Sequence, residues 1–318
     1  MSLRRTVGKS RRDRGVALIT AVLMVALGTI LAVNVGFRGF LDQRRSATLF
    51  ALDQGYEIAL GAEAWAADFL KKDLQDSKTD HFGETWAQPL PPLPIEGGTV
   101  EGRLEDQQGL FNINNLVHSD GTTNEDVVKQ LERMLALLEI EPTWATALAD
   151  WIDQDVQPGF PDGAEDTVYT GLDPPHLAAN MPVTRASEIM VLPGFGAERY
   201  ARLRPYVTAL PVGTPLNVCT APGVVLDALS EGTREFSLNP EDLLNRRKDT
   251  CFPTLEEIRG AMGDESYNKV KNSLTESSNY FRSTVWVTIG TTQFTLYSLL
   301  ARSGQGTIRP VLRSFGSE

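Results

Sequence analysis

The stretch RRDRGVALITAVLMVALGTILAVNVGF, Arg11 to Phe37, decides how the rest of the chain is read. Basic residues run up to Gly15, and from Val16 to Phe37 no side chain carries a charge. Those 22 residues span roughly 33 Å as an α-helix, enough to cross the hydrocarbon core of a bilayer. A secretory signal needs an apolar region of only about 7–15 residues and a small-residue cleavage site after it. Ala32, Asn34 and Gly36 make a poor one. Six basic residues (Arg4, Arg5, Lys9, Arg11, Arg12, Arg14) against Asp13 precede the run. That bias predicts a cytoplasmic amino end and a chain whose bulk lies across the membrane. A plain anchor accounts for the hydropathy and leaves Gly15, at the charge boundary, unexplained.

The bulk of the chain is acidic. Of 30 basic and 41 acidic residues, 24 and 40 remain in residues 16–318, a net charge of −16. Nucleic acid is a poor partner for such a surface, because phosphate contacts need clustered Lys and Arg. With 42% apolar residues, the roughly 280 residues beyond the membrane can bury one or two substantial cores. Cys219 and Cys251, the only two cysteines, fall on the far side of the membrane, in a compartment where a disulfide persists. A bridge between them closes about 33 residues, worth roughly 3–4 kcal/mol in the chain-entropy model. Two buried free thiols are the alternative; the disulfide is the expectation.

After Phe37 the apolar residues move to helical spacing: Leu41, Leu49, Leu52, Ile58, Ala62, Trp65 and Phe69, with charges between them. No proline occurs before Pro89. One helix from Val16 to about residue 74 follows, on the order of 90 Å long, with Gly36, Gly39, Gly55 and Gly61 as soft points. QPLPPLPIEGG, residues 88–98, reads as a linker by composition, and TVEGRLED, residues 99–106, as a strand. Three β-rich runs close the chain: YFRSTVWVTIG, TQFTLYSLLARS and TIRPVLRSF, separated by glycine-containing turns. Between about Leu116 and Ser277 the pattern is helical and loop-like. The order predicts an α+β fold, a long helix packed on an antiparallel sheet, with a helical domain inserted into the sheet's connectivity. Two consecutive domains without strand pairing across the insert is the alternative.

The sequence around Gly15 resembles the leader of type IV pilins and pseudopilins, in which a prepilin peptidase cuts after the glycine and methylates the new amino terminus, here Val16. Most members carry Glu at the fifth mature position, where this chain has Thr20. A carboxylate inside the bilayer is costly without a partner, and in the filament that Glu is thought to pair with the amino terminus of the neighbouring subunit. A subunit that starts the filament has no neighbour ahead of it, so Thr20 points to a tip position.

Three further stretches carry a resemblance to the K-type minor pseudopilin of type II secretion: EDQQGLFNINNL (residues 105–116), VLPGFGAERYARLRPYVTALP (191–211) and LNVCTAPGVVLDAL (216–229). With the leader and SNYFRSTVWV, the likeness covers nearly the whole chain. Cys219 departs from the usual Asn-x-Asn-Thr-Ala pattern, which fits its diversion into a disulfide. The resemblance implies a leader (1–15), a membrane helix (16–37) extended to about 74, and a linker with the first strands (75–112). It then implies an inserted helical domain of the sterile-alpha-motif type (113–277) and the final strands (278–318). It further implies a single-pass inner-membrane protein with a periplasmic domain, placed at the tip of the pseudopilus for export of folded exoproteins across the outer membrane. There it would initiate assembly and limit the filament. The implied partners are the I- and J-type pseudopilins, with the H-type joining them, the prepilin peptidase, and exoprotein or secretin. A filament wall leaves no room for a lateral domain of about 160 residues, so the bulk of the insert leads to the same position.

DWIDQDVQPGFPDGAED, residues 150–166, holds six carboxylates. Calcium takes six to eight hard oxygen ligands, and a loop with Gly and Pro lets such ligands converge. The glycine and final Glu of an EF-hand are out of register here, and a solvated acidic loop is the alternative. The resemblance implies calcium in this domain, with Asp153, Asp155, Asp162, Glu165 and Asp166 as the expected ligands. LPGFGAERYARL has the look of a helix-hairpin-helix, and Arg199, Arg202 and Arg204 follow its turn, which leaves a competence-like DNA-binding protein as the rival reading. Enzyme chemistry has little to stand on. His81, His118 and His176 are scattered, and no HExxH, GxSxG or phosphate-binding loop is present.

Overall fold

A computed structural model describes residues 11–316, with side chains from residue 15 onward. The first ten residues of the expected leader lie outside the described residues. Helix α1 (Arg11–Asp76) runs 66 residues without a break through Gly36, Gly39, Gly55 and Gly61, about 100 Å at 1.5 Å per residue. It is the one helix among the described residues that is long and apolar enough to cross a membrane, and its side chains from Val16 to Phe37 are exposed along that stretch.

Beyond the membrane segment one face of α1 lies on a five-stranded sheet. The strands are β1 (Leu93–Ile95), β2 (Gly98–Asp106) and, from the carboxyl end of the chain, β7 (Tyr280–Ile289), β8 (Thr292–Arg302) and β9 (Ile308–Phe315). Their order in space is β1-β2-β7-β8-β9, all antiparallel. Alternation sets the buried face: Phe281, Ser283, Val285 and Val287 of β7 oppose Leu300, Ser298, Leu296 and Phe294 of β8 in register. Against this face α1 presents Ala59 and Leu70, both fully buried. At Gly55 an added Cβ would stand 3.1 Å from Cβ of Phe294, so this glycine marks a close helix–sheet approach instead of a soft point. The same face of α1 buries Glu63, which accepts from the guanidinium of Arg313 at 2.7 and 2.9 Å and from the hydroxyl of Ser298. A buried carboxylate is tolerated because its oxygens are paired in this way.

Strands β2 and β7 pair from Gly98↔Ile289 to Asp106↔Phe281, although residues 107–279 lie between them. That segment folds as its own body. It contains α2 (Glu125–Leu137), α3 (Trp144–Ile152), α4 (Asp166–Tyr169), α5 (Gly196–Leu203), α6 (Gly223–Ala228), α7 (Glu235–Leu238), α8 (Pro240–Arg246) and α9 (Leu255–Val270). One apolar cluster unites it, with Ile113, Leu116, Met134, Leu148, Ile152 and Phe195 enclosed. Helix α2 shows the local logic: Val128, Leu131, Met134 and Leu135 fall on one face and are buried. Its first turn carries Glu125 and Asp126, where the helix dipole favours negative charge. At α9, Thr254 and Glu257 form a reciprocal capping box.

Two expectations are corrected. Residues 88–98 are not simply a linker: Leu93–Ile95 pairs with β2 through a tight hairpin whose Gly97 sits at φ +76°. Proline is accepted there because β1 is an edge strand. The insert also contains β structure, as two short parallel ladders. One joins β3 (Phe111–Asn112) to β4 (Val207–Thr208), and the other joins β5 (Leu216–Asn217) to β6 (Leu274–Thr275). Two-residue ladders are too short to produce alternation in the sequence. Phe111 belongs to the insert's apolar cluster, so that body begins before residue 113.

Candidate functional site

Two polar centres stand out: the acidic loop inside the insert, and the joint by which the insert hangs from the sheet and helix.

The acidic loop is organised by Asp150, near the end of α3. Its buried carboxylate accepts from the backbone N–H groups of Gly159 (2.9 Å) and Ala164 (2.8 Å), and burial raises its pKa. The approach is so close that a Cβ on Gly163 would lie 2.3 Å from an Asp150 oxygen. Asp153, where α3 ends, accepts from the hydroxyl of Thr123 at 2.6 Å through Oδ2, while its Oδ1 has no partner. Glu165 is 1% exposed and neither of its oxygens accepts a hydrogen bond. Asp155 completes a group of three carboxylates whose oxygens lie within 4.8 Å of one another. Burial, and then the charges of Asp150, Asp153, Asp155 and Asp166, push Glu165 up to about 7. Asp153 is raised to about 6 by burial first and then by Asp155 and Asp150.

The structure thus brings Asp153, Asp155 and Glu165 together. Asp162 is exposed, and Asp166 turns to the N–H of Ala178 at 2.9 Å; neither joins the group of three. Asn180, which sequence reading missed, donates to the carbonyl of Asp155 at 3.0 Å and leaves its own Oδ1 without a partner. Nothing in the acidic stretch signals a residue this far downstream. Buried oxygens without donors are costly, and an all-oxygen donor set suits a hard divalent cation. The residues therefore fit calcium.

At the joint, Asp106 at the end of β2 is buried. It accepts from Thr220 (2.6 Å), Ser278 (2.7 Å), Asn217 (3.0 Å) and the N–H of Gln108 (2.8 Å). Burial raises its pKa to about 6 in spite of these donors. Asn217 also donates to the carbonyl of Asp80 and to Ser278, both at 2.9 Å. Arg302, the last residue of β8, donates to the carboxylates of Asp73 and Asp80 and to the carbonyls of Leu70 and Ser278. Asp73 is pushed upward by burial first and then by Glu84 and Asp80.

The motif stretches meet here. In FNINNL, Asn114 donates to the carbonyls of Val183 and Leu210, and Asn112 to that of Pro211. The asparagines thereby clip residues 105–116 to the segment that ends at Pro211. Cys219 and Cys251 are bonded, with Cα atoms 4.7 Å apart. Buried Arg247 spans the same two segments, donating to the carbonyls of Phe252 (2.6 Å) and Val218 (3.0 Å). Burial lowers its pKa to about 10.

Two of the hairpin arginines, Arg199 and Arg202, are engaged within the domain. Arg199 makes a two-pronged pair with Glu141, both contacts at 2.8 Å, and lies over the ring of Trp144. Arg202 donates to the carbonyl of Glu139. Gly194 and Gly196 take positive φ to turn the chain back onto α3. This does not favour the DNA-binding reading.

Thr20 points its hydroxyl back along α1, to the carbonyls of Val16 (3.1 Å) and Ala17 (3.0 Å).

Known proteins resemble the chain over most of its length. Residues 109–212 match the family model for type II secretion system (T2SS) protein K. The chain is 36% identical to type II secretion system protein K of Pseudomonas aeruginosa, over 96% of this chain and 94% of that protein. It is 30% identical to the protein of the same name from Pectobacterium carotovorum, over 96% and 97%. Among solved structures it is similar to a chain in the GspK–GspI–GspJ complex of the enterotoxigenic Escherichia coli type 2 secretion system. The TM-score is 0.76 and the identity 25%, with 86% of this chain and all of that one covered.

Proposed function

Because the chain belongs to the family of type II secretion system protein K, we propose that it acts as the minor pseudopilin at the tip of the secretion pseudopilus, where it starts and caps the filament. The observation that carries this reading is the placement of the insert. Residues 107–279 form a body larger than the rest of the ectodomain, hung from one end of the sheet beside α1. In a filament wall built by side-by-side packing of axial helices this body would collide with neighbours, and only an end leaves it room. Thr20 supports the same position, since its hydroxyl is satisfied inside its own helix and asks nothing of a subunit ahead of it.

In this reading α1 anchors the protein in the inner membrane with its amino end in the cytoplasm. Prepilin peptidase removes residues 1–15 after Gly15 and methylates Val16. The I- and J-type pseudopilins are direct partners, as GspI and GspJ are in the solved complex, and the H-type joins them. Leu49 and Phe50, exposed on α1 beyond the membrane segment, are available to a shared helix bundle. The role is structural and involves no catalysis by this chain.

The test is to produce the chain with and without prepilin peptidase, together with its I- and J-type partners. Intact mass is expected to fall by residues 1–15 and gain one methyl group at Val16, with all three proteins recovered as one complex. An unprocessed chain, or one cut near Gly36, together with no complex, overturns the reading.

Calcium in the acidic loop would be held by Asp153, Asp155 and Glu165, and it would supply the positive charge that lets these carboxylates share a buried space. The folded pKa values of Asp153 and Glu165 lie above those of the unfolded chain, so the folded form takes up protons as pH falls from about 7 toward 4. The metal-free loop gains stability over that window. Calcium needs the ionised forms, so its effect is largest above pH 7 and shrinks by pH 5. With calcium at 100 times its Kd, the expected stabilisation is about 2.7 kcal/mol. That corresponds to roughly 100-fold slower amide exchange for residues 153–180 where they open locally. The slowing should be small at pH 5 and absent from the chain with Asp153→Asn and Glu165→Gln. Equal exchange with calcium and with EDTA at pH 7.5 removes calcium from the reading.

A further inference from the structure

The joint contains a second convergence of carboxylates that the acidic loop does not explain. Asp73 lies in the last turn of α1, Asp80 in the loop that follows, and Glu84 four residues later. One oxygen of each lies within 4.8 Å of the others. The Asp80 side chain is 2% exposed and that of Glu84 10%. Asp80 Oδ1 and Glu84 Oε1 nevertheless accept no hydrogen bond.

We propose that Asp73, Asp80 and Glu84 form a binding site for a hard divalent cation of the calcium class, separate from the acidic loop, which fastens the end of α1 to the sheet and to the insert.

The arrangement of donors around the three residues supports this. Asp80 and Glu84 are each held by one oxygen and leave the other without a hydrogen bond. Glu84 Oε2 accepts from the indole N–H of Trp86 at 2.8 Å and from the N–H of His81 at 3.0 Å. Asp80 Oδ2 accepts from the N–H of Ser278 at 2.7 Å and from Arg302. Neighbours that orient a ligand in this way are what prepares a carboxylate for a metal. Charge is unbalanced as well. Arg302 reaches Asp73 at 3.1 Å and Asp80, giving one guanidinium to three carboxylates.

Histidine decides the class of ion. His81 Nδ1 accepts from the N–H of Gly83 at 3.1 Å, so in the neutral ring the proton sits on Nε2. That nitrogen faces Glu84 Oε1 at 3.7 Å and offers a donor, with no lone pair for a metal. The remaining ligands are all oxygen, which selects calcium-like ions over zinc. A cation here would act on three bodies at once. Asp73 belongs to α1, Asp80 is held by Arg302 and Ser278 beside the sheet, and the carbonyl of Asp80 is held by Asn217 of the insert.

This inference does not depend on the tip reading or on calcium in the acidic loop. The test uses the full-length chain in detergent with Asp153→Asn and Glu165→Gln, which disables the loop and leaves every residue of the joint in place. Terbium is the probe, because the Trp86 indole lies close enough to Glu84 to sensitise its emission. The expected result is tryptophan-sensitised emission that saturates at one ion per chain and is displaced by calcium. Adding Glu84→Gln should weaken binding at least tenfold. If circular dichroism shows that this substitution disturbs the fold, Asp73→Asn takes its place with the same expectation. In the natural chain, either substitution should lower the count of bound calcium by one. Lack of sensitised emission from the loop-disabled chain, or emission unchanged by the joint substitutions, overturns the proposal.

Discussion

Replacing Arg302 with methionine, in EDTA so that no cation substitutes for the guanidinium, is expected to lower stability by about 3–5 kcal/mol. The side chain is 2% exposed and so is that of Asp80; Asp73 is 9% exposed. Removal of one partner from a buried ion pair leaves the other charge without compensation, and that penalty exceeds the net worth of the intact pair. Two backbone acceptors, the carbonyls of Leu70 and Ser278, lose a donor as well. For a chain of this size the melting temperature should fall by on the order of 10 °C. The cause is separable by a double variant. Arg302→Met with Asp80→Asn should recover part of the loss, because less charge is stranded. A double variant less stable than Arg302→Met alone would mean that lost packing, not stranded charge, is responsible.

The second large effect is expected at the disulfide. Cys219→Ser with Cys251→Ser removes a cross-link between residues 32 apart, and the chain-entropy model places its contribution at roughly 3–4 kcal/mol. Most of that acts on the unfolded chain, which regains the freedom of the loop. The folded insert should keep its shape, since Arg247 still ties the carbonyls of Val218 and Phe252, and Asn217 still holds the joint. Denaturant unfolding of the variant should therefore show a lower midpoint with a circular dichroism spectrum unchanged before the transition. Reductant should lower the midpoint of the natural chain by the same amount and leave the variant unaffected. A midpoint insensitive to both treatments would contradict the assignment.

The two predictions act on different parts of the chain. Arg302 joins elements far apart in sequence, so its loss is felt in the folded state, and the disulfide restrains a local loop of the insert. Together they separate the docking of the insert from its internal stability. The insert must be firmly held if it is to define one end of a filament.

Much of this protein was legible in the sequence for simple physical reasons. Twenty-two uncharged residues from Val16 to Phe37 can only be a spanning helix or a buried one, and the absence of proline before Pro89 carries that helix to Asp76. The three last strands were legible because long runs rich in Val, Thr, Phe and Tyr, bounded by glycine-containing turns, are a strong signal. The motif stretches 105–116, 191–211 and 216–229 could be recognised before it was clear what they do. Their asparagines and Asp106 turn out to be the clips that fasten the insert. What sequence could not supply was anything that depends on residues meeting across long separations. Leu93–Ile95 became a strand because β2 was there to pair with it, against its proline-rich composition. The acidic stretch offered six carboxylates at similar spacing. Only the fold chose Asp153, Asp155 and Glu165, sent Asp150 to the loop backbone and Asp166 to Ala178, and brought in Asn180. The convergence of Asp73, Asp80 and Glu84 with Arg302 left no trace in the sequence at all. The sequence by itself determined the anchor, the class of fold and the acidic character, because these follow from local periodicity and composition. The tertiary structure alone decided which charges share a buried space, because burial and distance belong to the folded chain.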